Sequence, residues 1–137
     1  MALNRTESRE KIMILLYQIL LYDKNNIKYD VNDIITDKSE ELSEYIVDSL
    51  KGIIDNKNCL VNIANKYLGS WPMNRLGLTD QAIILLGIYE LINTKIEGPI
   101  VINEAINLSK KYSDDQVSKI INGVLDNVYH NEGKNGE

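Results

Sequence analysis

Two stretches, Ile12–Leu21 and Ala82–Ile92, are apolar or aromatic at almost every position, broken only by Gln18 in the first and by Gly87 and Glu90 in the second. An amphipathic helix hides one stripe, but a helix that is apolar all round must be enclosed by other helices. Neither stretch reaches the length of a membrane span. The rest of the chain must therefore supply amphipathic helices that wrap both.

It does so on each side of one connector. Gly69-Ser-Trp-Pro-Met-Asn-Arg-Leu-Gly-Leu78 is the only segment marked by Gly, Pro and Trp together, and it divides the 137 residues into halves. Before it, helices are predicted at about Ser39–Asp55, buried through Leu42, Tyr45, Ile46, Leu50, Ile53 and Ile54, and at about Asn58–Leu68, with Leu60, Ile63, Ala64 and Tyr67 facing in. After it, Pro99 opens a helix whose Val101, Ala105, Leu108 and Tyr112 form one stripe, and Val117, Ile120, Ile121, Val124, Leu125 and Val128 define the last. Asn4 with Glu7, and Ser113 with Gln116, read as capping boxes, and Thr79 as an N-cap. Residues 23–38, polar and rich in Asp and Asn, read as a loop. Gly87 in mid-helix implies close approach of a neighbouring helix. The expectation is an all-α chain in a single domain: a helical half at about 4–68, a second at about 72–130, each a three-helix bundle packed through the connector, and a frayed, disordered tail at 131–137.

Charge and chemistry narrow the function. The net charge is −5, awkward for a nucleic-acid binder, and residues 23–58 alone carry nine acids against five lysines. The first eleven residues and residues 105–119 are each +1, so a polyanion would have to meet a local surface. Cys59 is the single cysteine, which excludes an internal disulfide and fits a reducing cytoplasm, and the N-terminus lacks the order of a signal peptide. His130 is the single histidine and lies near the C-terminal end, which leaves no triad and no His-based metal site. No glycine-rich phosphate loop occurs. The chain reads as a non-enzyme without metal or cofactor.

A few residues do not suit a plain bundle. Asn103, Glu104 and Asn122 lie beside apolar stripes and are expected to form a buried polar network that fixes helix register. Trp71 is expected to wedge between the halves. Arg5 and Arg9 continue the stripe of Ile12, Leu16 and Ile19 and should project past the end of the core. With Tyr17 they are either a solvated helix end, which the residues alone favour, or an RNA surface on which Arg holds phosphate and Tyr stacks on unpaired bases.

Arg9-Glu-Lys-Ile-Met-Ile-Leu-Leu-Tyr17-Gln18 resembles the opening helix of the NusB family of bacterial transcription antitermination factors. So do Trp71 with Arg75-Leu76, Asp80-Gln-Ala-Ile-Ile-Leu, Tyr89-Glu-Leu91, Pro99 through Asn103-Glu-Ala105 to Lys110-Lys-Tyr112, and Lys119-Ile-Ile-Asn122-Gly-Val-Leu-Asp126. The blocks occur in the family's order and span both halves. The resemblance implies two small helical bundles and a non-catalytic role. It also implies pairing with NusE, a small ribosomal subunit protein, binding of boxA RNA in ribosomal RNA leaders, and read-through of terminators by RNA polymerase. By position, the family's RNA surface falls on Arg5, Arg9 and Tyr17, with Lys119 and Ile120. Here the arginine cluster is thinned to two, with Glu7 and Glu10 among them, and Ile120 replaces a common aromatic. Fewer cations mean a weaker electrostatic contribution and reliance on NusE. A protein-only helical adaptor, including a homodimer formed through an exposed apolar strip, is the alternative. A methyltransferase accessory domain is a remote one, because no cofactor loop or later catalytic cysteine follows.

Overall fold

The computed structural model describes residues 3–36 and 42–132. Among them are seven α-helices and no strand: α1 (Arg5–Lys24), α2 (Val31–Ile35), α3 (Glu44–Asp55), α4 (Lys57–Leu68), α5 (Leu78–Asn93), α6 (Gly98–Tyr112) and α7 (Asp115–Asn131), with a 3-10 turn at Met73–Arg75. α1 begins with the expected capping box: the Asn4 side chain accepts from the Glu7 N–H at 2.7 Å and the Asn4 N–H donates to Glu7 at 2.9 Å. Gly69 closes α4 at φ 65°, a left-handed conformation that glycine adopts without a Cβ penalty.

Several local boundaries differ from expectation for identifiable reasons. Residues 31–35 are helical rather than loop, because Asp30 caps them by accepting from the Asn32 N–H. α5 starts at Leu78 with Gly77 as its N-cap, so Thr79 lies inside the first turn. α7 is capped by Asp114, which accepts from the Val117 N–H, while the Ser113 hydroxyl donates across to Asp80 at the start of α5. The start expected for α3, Ser39, lies outside the described residues, and α3 instead begins at Glu44, capped by Ser43. The tail expectation is met differently too: Asn131 closes α7, Glu132 is held by Lys66 and Tyr67, and 133–137 lie outside the described residues.

The two apolar helices sit at the centre. α5 buries Ala82 through Ile88 without interruption, then Glu90 and Leu91, and it packs against α1, α3, α4, α6 and α7. Its most extensive partner is α1, from the other half. A single core cluster therefore runs through both halves, from Ile12, Leu16 and Ile19 to Ile121, Leu125 and Val128, and the halves meet along helix faces rather than through the connector alone. Trp71 is accordingly not a wedge: it is 52 % exposed. α1 is less enclosed than its composition implies, because Ile14 and Tyr17 remain on its outer side.

Two grips of the same chemistry close the periphery. Lys111 and Tyr112, ending α6, both donate to Glu10 of α1, and Lys66 and Tyr67, near the end of α4, both donate to Glu132 beyond α7. The lysine and tyrosine hydrogen bonds hold both glutamates below the usual carboxylate range. A depressed folded value adds stability that is present above the unfolded pKa of about 4.3 and lost as pH falls through the folded value. Thermal melts between pH 7 and pH 3 are therefore expected to fall through this window, and to fall less steeply in an E10Q/E132Q double variant.

Close approach at Gly87 is as its position in mid-helix implied. A Cβ there would stand 2.9 Å from both terminal methyls of Leu125, itself fully buried. Gly87→Ala gains about 1 kcal/mol of helix propensity but forces that side chain into a filled core, at about 1–3 kcal/mol. The expected net result is a lower urea midpoint; an unchanged or raised one would show that α7 can give way.

Candidate nucleic-acid interface

The first turns of α1 place Arg5, Thr6 and Arg9 toward α3, α5 and α6. Arg9 does not project past the core, as its place on the α1 stripe had implied. It is 4 % exposed, its Nε donating to Glu90 at 2.8 Å and its Nη1 to Glu104 at 2.9 Å. Glu90 is 1 % exposed, and a buried acidic side chain in an apolar helix is costly without partners, which is why α5 draws Arg9 inward. Its other oxygen accepts from the Tyr45 hydroxyl of α3, and Glu104 also accepts from Thr6 at 2.6 Å. Burial works against the Arg9 charge, yet the hydrogen bond and field of Glu90, with Tyr45 and Glu104 adding, raise its pKa further. Burial first, then Glu90, pushes the Tyr45 hydroxyl up, so it stays a neutral donor.

Arg5 remains at the surface, its guanidinium carbon 3.8 Å from the centre of the Tyr45 ring. Farther along α1, Tyr17 is 38 % exposed beside Ile14. Lys119 is exposed on the second turn of α7 and Ile120 beside it is half-buried. The Glu10 grip fixes the end of α6 against α1, and α7 starts at Asp115, just after Tyr112.

Of the expected polar network, only Glu104 is part of a buried cluster; Asn103 and Asn122 are exposed. Helical periodicity placed Tyr45 among the apolar core residues and gave Glu90 no role. The signal was available in Glu90, a lone carboxylate in the most apolar helix, which demands a buried cation and further donors. Every buried side-chain polar atom described is hydrogen-bonded, and no group of three or more His, Cys, Asp or Glu among the described residues could hold a metal. No helix among them is long and apolar enough to cross a membrane. Cys59 and His130 are both exposed, the latter 3.3 Å from Asp126.

The model of the NusB family matches residues 6–130. The chain belongs to the NusB family. It is 40 % identical to the transcription antitermination protein NusB of a Nitratiruptor species over 136 residues, which cover 96 % of this chain and 95 % of that protein. A structure of T. maritima NusB superposes with a TM-score of 0.82 at 24 % identity, covering 99 % of this chain and 97 % of the other, which fixes the shared fold. A second solved structure contains antitermination factors NusB and NusE in complex with double-stranded RNA. It matches with a TM-score of 0.72 at 25 % identity, covering 91 % of this chain and 95 % of that one.

Within this NusB-family chain Arg9 is a structural cation. Arg9→Ala strands the Glu90 carboxylate and is expected to cost about 3–5 kcal/mol, seen as a melting temperature lower by about 10 °C or more. A melting temperature within about 2 °C of the parent would mean that Glu90 is served by other groups.

Proposed function

We propose that this chain is a transcription antitermination factor that, together with NusE, binds boxA RNA of ribosomal RNA leaders in the cytoplasm and promotes read-through by RNA polymerase. Membership in the NusB family supports this, and so does the likeness to a NusB chain solved with NusE and RNA. The observation that carries it is Arg5: an exposed guanidinium, held on a ring, with no carboxylate partner among the described residues. Tyr17 on the same helix offers an aromatic face to an unpaired base, and Lys119 with Ile120 adds a cation and an apolar contact from α7. The role is one of binding without catalysis. Arg9 acts from beneath this surface instead of touching RNA.

Charge explains the need for a partner. The chain carries −5 overall, and Arg5 and Lys119 together neutralise two phosphates at most. A single-stranded ligand then gives a salt slope of only about −0.7 per phosphate. NusE is expected to supply the rest of the affinity.

Fluorescence anisotropy of labelled boxA RNA, with a scrambled RNA as control, tests this with and without NusE. Selective binding should require NusE, and Arg5→Ala and Tyr17→Ala should each weaken it about tenfold at unchanged melting temperature. Equal affinity without NusE would remove the partner dependence, and absence of selectivity in both conditions would leave a protein-only adaptor.

A further inference from the structure

The exposed arginine of α1 is not free to move as a surface arginine ordinarily is. Its guanidinium carbon lies 3.8 Å from the Tyr45 ring centre. The ring in turn is tethered through its hydroxyl to one oxygen of Glu90, whose other oxygen is fixed by Arg9 at 2.8 Å. Of the acids nearby, Glu7 accepts from the Asn4 N–H, and Glu104 from Thr6 and Arg9. Contact with the ring uses a face of the guanidinium and leaves N–H donors on its rim.

We infer that Tyr45, on α3, is a positioning residue for RNA: its ring holds the Arg5 guanidinium so that the free N–H rim meets a backbone phosphate oxygen. This rests on the RNA reading given above. Three features point to it. Side-chain freedom that an ordinary arginine loses on binding is here lost on folding, which favours the bound state. A phenol that donates to a carboxylate gains electron density in its ring, strengthening its attraction for the cation above it. And no acid among the described residues pairs with the cation, so a charge-assisted fork to phosphate is the chemistry left open. Arg9 belongs to the same assembly as the buried counter-charge that keeps Glu90 and hence the ring in place.

The test compares Tyr45→Phe with Tyr45→Leu, each in the parent and in an Arg5→Ala background, reading affinity for labelled boxA RNA with NusE present. Both variants strip the hydroxyl from Glu90, and only Phe keeps an aromatic face; the extra packing that Leu loses is cancelled by comparing the pair with and without Arg5. In the parent, Leu is expected to bind about two- to fivefold more weakly than Phe, the range of an exposed cation–π contact. In the Arg5→Ala background the two should be equal. A Phe–Leu difference that persists without Arg5, or no difference with it, overturns the positioning role while leaving the RNA reading standing. If Arg5→Ala itself binds as tightly as the parent, the RNA role of Arg5 falls, and the inference with it. Melting temperatures confirm that all variants are folded at the assay temperature; should Leu unfold, Tyr45→Met takes its place with the same expectation.

Discussion

A carboxylate buried in the most apolar helix of the chain organises what lies around it. Both oxygens of Glu90 are engaged: the fold brings Arg9 from α1 to one and Tyr45 from α3 to the other. Three helices from both halves are thereby set in register by one side chain. Hydrophobic contacts between α1 and α5 tolerate small slides, but a guanidinium and a phenol that must both reach one carboxylate do not. Buried ion pairs in general add little net stability over well-packed apolar substitutes, whereas removing one partner is costly.

The same cluster joins architecture to surface. Its interior members, Arg9, Glu90 and Glu104, are closed to solvent or nearly so, whereas Tyr45 spans the boundary and Arg5 stands outside. The two arginines, four residues apart on one helix, thus divide into an internal counter-ion and an exposed cation. A cation already held on a ring loses less freedom on meeting a ligand than a mobile one.

Much of the fold was legible in periodicity and caps. The two all-round apolar stretches implied enclosed helices, Asn4 and Glu7 implied the start of α1, and Gly87 implied the tight approach that Leu125 makes. Boundaries set by single hydrogen bonds were less legible: Asp114 outcompeted Ser113 as a cap because Ser113 is engaged by Asp80, a partner 33 residues away in sequence. The candidate interface was legible only in part. Arg5 and Tyr17 are exposed where the resemblance put them. Arg9 is buried because its partners come from 81 and 95 residues away, and stripe position on one helix carries no information about such partners. Trp71 and Asn122 were misjudged for a similar reason, since composition near an apolar stripe does not say which side of the residue a neighbour will cover.

The seam between α1 and α5 has one more consequence. Although the sequence divides evenly at its Gly/Pro/Trp connector, the most extensive packing in the molecule crosses that division. Neither half can be removed without stripping the other of the surface that covers its own apolar helix. The chain is thus two modules by sequence but one core by packing, so that opening α1 also exposes the face of α5 that it covers.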